Sequence, residues 1–113
     1  MARIRLERGP VVCERGELAT TLWTRTRGLL GRSGLADDEG LWIPTSSIHM
    51  FGMRFPIDVV YADREGRVLK LVRGIKPWRA SWCVGAKTAL ELPVGAIDRA
   101  GVEEGDHLVI EHT

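Results

Sequence analysis

The chain has 113 residues, 44% of them apolar and 27% charged, with a net charge of only +1. That is the make-up of one globular domain, residues 1–113, large enough to bury a core without metal or disulfide staples. No apolar run approaches the roughly 20 residues that a bilayer-spanning helix needs. Met1–Arg8 alternates charged and apolar side chains where a signal peptide would carry an apolar block, so a cytoplasmic protein with no membrane partner is expected.

Ile4 and Leu6 alternate with Arg3, Arg5 and Glu7, the pattern of a half-buried strand. Gly9-Pro10 turns the chain into Val11-Val12-Cys13, a short partner strand. From Glu17 the period changes: Leu18, Leu22, Leu29 and Leu30 fall at helical spacing, with Arg25 and Arg27 off the stripe, which predicts one substantial helix near residues 17–31. Ser33–Gly40 is a polar connection, and Leu41-Trp42-Ile43 is a short strand stopped by Pro44. Asp58–Asp63 reads as a buried strand, joined by a tight Arg64-Glu65-Gly66 turn to a strand over Arg67–Arg73. Trp78–Cys83 is irregular or a short edge strand, and Lys87–Leu92 is a strand closed by Pro93. A short helix over Gly95–Ala100, capped by Gly101, and a last strand over His107–Glu111 complete the chain. Many short strands with one main helix predict a mainly β fold, a compact small sandwich or barrel.

The densest chemistry lies in residues 45–58, Thr-Ser-Ser-Ile-His-Met-Phe-Gly-Met-Arg-Phe-Pro-Ile-Asp, interrupted by Gly52 and Pro56. Polar groups on a loop held between strands are a common design for a binding site. Elsewhere the chain reads as scaffold. Residues 1–36 carry seven Arg against three Glu, and residues 37–113 nine Lys or Arg against twelve acids. The basic excess is spread over separate elements with no interleaved aromatics, so nucleic acid is not an expected partner. Cys13 and Cys83 stand far apart and form no CxxC pair, so they read as free thiols in a reducing compartment.

Five ordered motifs now carry a family resemblance. They are Arg27-Gly28-Leu29-Leu30-Gly31-Arg32, Gly40-Leu41-Trp42-Ile43, His49-Met50-x-x-Met53-Arg54-x-Pro56-Ile57-Asp58, Leu90-Glu91-Leu92-Pro93-x-Gly95 and Gly101-Val102-x-x-Gly105-Asp106. Together, over about residues 11–110, the chain resembles the domain of unknown function 192 family. The resemblance implies a small jelly-roll-like β fold and attaches no biochemical activity. Many members carry an export signal or membrane anchor that this sequence does not show. The Ser46-Ser47-Ile48 lead-in departs mildly from the family pattern.

Three chemical readings of the segment compete. His49 and Asp58 would make an imidazole–carboxylate pair, with Ser46 or Ser47 as a nucleophile, the basis of an acid–base or hydrolase-like enzyme; no GxSxG elbow accompanies them. His49, Met50 and Met53 are ligand types for a soft metal, but methionines flanking Phe51 read more simply as core filling, and no metal or cofactor is expected. The favoured reading is a small polar or anionic ligand held in a pocket bordered by residues 46–58. Its expected contacts are His49, Met53, Arg54 and Asp58, with Trp78 as a stacking surface. An accessory protein-interaction module is the further alternative, and would require exposed tryptophans in one patch. Glu91, in an otherwise apolar strand, is expected either to face solvent or to pair with a buried arginine.

Overall fold

Strand alternation at both ends of the chain brings its two ends into one sheet. The computed structural model describes residues 1–19, 29 and 31–112. Among these residues the strands are β1 (Ala2–Leu6), β2 (Val11–Leu18), β3 (Glu39–Ile43), β4 (Ser47–His49), β5 (Ile57–Ala62), β6 (Val68–Ile75), β7 (Ala80–Trp82), β8 (Thr88–Pro93) and β9 (Leu108–His112), and a short helix, α1 (Ala96–Ala100), precedes β9. Seven strands form a mixed sheet in the order β6-β5-β8-β3-β2-β1-β9. Every neighbouring pair in it is antiparallel except β2 and β3, which run parallel. β4 and β7 form a separate antiparallel ribbon.

The two edges of the large sheet meet at one end through a bridge between Arg67 and His107. Val68 N–H donates to Asp106 O and Leu108 N–H to Gly66 O, both at 2.8 Å. Gly66 is required there: its φ is +88°, and a Cβ would lie 2.8 Å from the Leu108 carbonyl oxygen. The edges join only at this corner, so the mainly β expectation holds while the barrel alternative does not: the sheet is not closed.

Each face of the sheet buries its own apolar cluster. Ile4, Leu6, Val12, Val60, Leu90, Leu92 and Leu108 share the first with Ala96 and Ile97 of α1. Ile43, Ile57, Val59, Tyr61 and Ala89 share the second with Ile48, Met50 and Met53. β5 and β8 lie between the clusters and are buried along their whole length, which is why both read as near-continuous apolar runs.

The β5–β6 hairpin forms as expected, its turn fixed by Asp63 Oδ1, which accepts from the amides of Glu65 and Arg67 at 2.9 Å each. The helix expected over 17–31 needs correction at its start. Glu17 and Leu18 belong to β2, where parallel pairing with Leu41 and Trp42 overrides the helical period. Residues 20–28 and 30 of that expectation lie outside the described residues. Among the described residues no helix is long and apolar enough to cross a membrane.

Candidate functional site

Pro44 ends β3, and Thr45 then turns the chain: its hydroxyl donates to Ser47 O at 3.0 Å and accepts from Ser47 N–H at 3.3 Å. β4 follows and pairs with β7 through Ser47–Trp82, Ile48–Ser81 and His49–Ala80. Alternation along these two short strands sends Ile48 and Ser81 inward, where both are buried, and leaves His49 and Trp82 outside.

Beyond the ribbon, the Met50 backbone ties two loops together. Its N–H donates to Arg79 O at 2.7 Å, and its carbonyl accepts from Trp78 N–H at 2.8 Å and Met53 N–H at 3.2 Å. The return through Gly52 (φ +81°) suits glycine. Trp78 is different: with φ 69° it is the one non-glycine among the described residues in the left-handed region. For a bulky side chain this conformation costs of order 1–3 kcal/mol.

That strained turn places the Trp78 indole 6.1 Å from the Phe51 ring, at 28° between planes; Phe51 in turn lies 5.2 Å from the His49 imidazole, at 27°. The three rings form a stacked row on the outside of the molecule, with Trp78 66% and Phe51 50% exposed. Trp82, also 66% exposed, lies on the same ribbon. Arg54, Lys76 and Arg79 in the adjoining loops are exposed and carry no ion pair with a described residue.

The structure therefore unites some of the sequence-predicted site residues and separates others. His49 and Trp78 share the ring row, with Arg54 in the loop beside it. Met53 is buried beneath, in the second cluster. Asp58 is on the opposite face of the sheet, 1% exposed, and all its bonds go to backbone: Gly74 N–H at 2.9 Å and the N–H groups of Gly95 and Ile97 at 3.1 Å. It braces β6 and the start of α1, and no hydrogen bond joins it to His49. Ser46 and Ser47 are exposed, and neither hydroxyl bonds to His49. His49 is outside while the Met50 and Met53 thioethers are buried in the core.

Three residues that sequence reasoning underweighted matter here. Phe51 is the middle ring of the row, and its only sequence signal was its position before a glycine turn. Glu91 is 6% exposed on β8, between Leu41 and Val59, and bonds to no described residue. Burial alone pushes its carboxyl up to about 7. Tyr61 is fully buried; its hydroxyl lies close to Ser81 and the Ile48 backbone, but neither meets hydrogen-bond geometry, and burial raises its pKa.

Two surface concavities lie elsewhere. One, of about 280 Å³, is lined by Val12, Cys13, Glu14, Asp38 and Arg99 among others; another, of about 350 Å³, lies between Asp63, Arg67, Leu69 and Glu104. Neither includes a residue of the ring row. The thiol on the floor of the first is buried, and burial raises the Cys13 pKa to about 11.

The fold and much of the sequence are shared with known proteins. The protein is 36% identical over 107 residues to a UPF0127 protein of Thermococcus sibiricus, covering 89% of this chain and 69% of that one. It is 36% identical over 96 residues to a UPF0127 protein of Thermococcus gammatolerans, covering 80% and 62%. This chain thus spans less than two thirds of the second relative. Its structure is similar to that of a Sinorhizobium meliloti protein described as a candidate transcription regulator, with TM-score 0.84, 24% identity, and 96% and 92% of the two chains covered. It also resembles a Novosphingobium aromaticivorans protein of unknown function, with TM-score 0.80, 24% identity, and 96% and 82% covered. At that identity the likeness shows the fold alone. Residues 6–110 match the family profile of domain of unknown function 192, described as "Uncharacterized ACR". The chain belongs to this uncharacterised family.

Proposed function

We propose that the protein binds a small organic anion carrying a ring, which stacks on the His49–Phe51–Trp78 row while Arg54 or Arg79 meets its carboxylate or phosphate. The observation behind this reading is Trp78: a bulky residue held in a costly backbone conformation whose indole is left exposed against Phe51. Strain of this kind concentrates where a side chain is pre-positioned for a ligand. Exposed rings offer a stacking face, and exposed guanidinium groups with no ion pair to a described residue offer paired N–H donors. A reducing, cytoplasmic setting suits Cys13 and Cys83, both free.

A thermal-shift and tryptophan-fluorescence screen with glucuronate, benzoate, nucleoside monophosphates and inorganic phosphate tests the reading. A binding member at one hundred times its Kd adds about 2.7 kcal/mol to stability. Phe51→Ala and Trp78→Ala should each abolish that response while the variants stay folded. The reading fails if no ring-bearing anion produces a saturable response, or if the two variants bind as the wild type does. The His49–Asp58 enzyme reading is not carried forward, because the two side chains lie on opposite faces of the sheet.

A further inference from the structure

The aromatic track is longer than a single ring-bearing ligand needs. Ser47 pairs with Trp82 and His49 with Ala80, so His49 and Trp82 are diagonal neighbours on the outer face of the β4–β7 ribbon. Such neighbours lie about 7–8 Å apart between Cα atoms, within reach of aromatic side chains. From His49 the track continues to Phe51 at 5.2 Å and from there to Trp78 at 6.1 Å. Trp82 is as exposed as Trp78, so four rings follow one another along an open face. One ligand ring covers only part of it.

The charge carried by the ribbon and its neighbouring segments has one sign. Residues 44–57 and 66–90 contain seven Lys or Arg and no Asp or Glu, although the whole chain holds 15 acids against 16 Lys and Arg. Arg73 turns away to Asp98, and Arg67 lies at the corner opposite His107. The others serve the ribbon. Lys70 Nζ donates to the Trp82 carbonyl at 2.9 Å, and Arg54, Lys76, Arg79 and Lys87 are exposed in the segments that flank it. The expectation against nucleic acid rests on the scattered arginines of residues 1–36. In residues 76–87, by contrast, Lys76, Arg79 and Lys87 interleave with Trp78 and Trp82.

We propose that the outer face of the ribbon binds single-stranded nucleic acid. The ring-bearing anion of the preceding reading, on which this inference rests, is then one nucleotide of a strand. Each nucleotide supplies one flat base and one phosphate. In an unstacked strand successive bases stack on successive aromatic rings, while the backbone phosphates meet the surrounding cations. Every base has a π face, so binding of this kind depends only weakly on sequence. A duplex hides its base faces and does not fit. A lipid surface would take up apolar groups of any shape, whereas flat rings in series among cations favour a strand of bases.

The test uses the full chain and a fluorescein-labelled twelve-nucleotide oligothymidylate, read by anisotropy at 50 and 200 mM KCl, with thymidine monophosphate as competitor. The oligonucleotide should saturate the protein and bind at least tenfold more tightly than the mononucleotide. Its log affinity should fall with log salt by about 0.7 per phosphate engaged, so three or four contacts give a slope of roughly −2 to −3. Trp82→Ala should weaken the oligonucleotide at least fivefold and erase most of its advantage over the mononucleotide. Lys76→Gln should make the slope shallower by about 0.7. Both side chains are exposed, so both variants should keep the fold, which circular dichroism checks. The inference is overturned, with the small-anion reading intact, if the oligonucleotide binds no better than the mononucleotide. It is overturned equally if Trp82→Ala binds the oligonucleotide as the wild type does. If neither nucleotide binds, the inference fails, and glucuronate and benzoate decide the small-anion reading. Equal binding by an abasic oligomer of the same length, or by a duplex, would also overturn it, since the face would then read charge alone. Tighter binding to phosphatidylglycerol vesicles than to the oligonucleotide would overturn it in favour of a lipid surface.

Discussion

The Ile97 amide donates to the Asp58 carboxylate at 3.1 Å, linking β5 to α1 across 39 positions of sequence. The same carboxylate holds the amides of Gly74 and Gly95. Removing the acceptor leaves three N–H groups without a partner in a largely buried setting. Asp58→Ala should therefore lower the unfolding free energy by about 3 kcal/mol or more. His49→Ala, on the exposed ribbon, should change it by less than about 0.5 kcal/mol. Urea unfolding of the two variants checks this. A small effect for Asp58→Ala would show that the three bonds do not brace the fold.

Glu91 gives stability a pH dependence of unusual sign for a carboxylate. Its folded pKa of about 7 lies above the ordinary 4.5. Between these values the folded protein holds a proton that the unfolded chain has released, so stability falls as the pH rises through the window. The decline amounts to about 3 kcal/mol by pH 8. Below the window, Asp38, Glu39 and Asp106, whose pKa values are lowered mainly by hydrogen bonds, act in the opposite direction. Glu91→Gln should abolish the decline between pH 5 and pH 8, as measured by urea midpoints at each pH. A wild-type midpoint that does not move across this range would contradict the assignment.

At Trp78 two substitutions separate strain from stacking. Alanine keeps the cost of a left-handed backbone, whereas glycine removes it. Trp78→Gly should be more stable than Trp78→Ala by about 1 kcal/mol. Both lose the ring row, so both should fail in the ligand screen. Thermal unfolding of the pair provides the comparison.

The cysteines should differ in reactivity. Cys13 is 2% exposed with its pKa near 11, and Cys83 is only partly buried. A disulfide reagent at pH 7.5 should titrate one thiol in the native protein, and Cys83→Ser should remove that reaction. Two equally fast thiols would show that the first cluster opens readily.

What could be read in advance depended on how local the determining contacts were. The β5–β6 hairpin was legible because Asp63, Gly66 and the flanking apolar runs lie side by side. Asp58 was noticed as a carboxylate, but its partners are backbone amides of glycine-bearing loops, which no side-chain pattern announces. β2 continues through Leu18 because β3 lies parallel beside it, and that pairing is fixed by distant residues. β4 and β7 are three residues each, too short for period alone to reveal. The ring row was half visible: His49 and Trp78 stood out, but Phe51, between two methionines read as core filling, was given no role. Glu91 was conspicuous in an apolar strand, and only the structure showed that it is buried, with no described arginine bonded to it.

β1 lies between β2 and β9, with Ala2 opposite His112 and Leu6 opposite Leu108. During synthesis the first strand can pair on one side early, but its other edge must wait until the last strand leaves the ribosome. Until then Ile4 and Leu6 lack the cover of Leu108, and an unpaired edge is available to a neighbouring chain. Folding of this domain is therefore gated by completion of its last strand, and slow or stalled translation just before β9 would convert a topological detail into a hazard of misassembly.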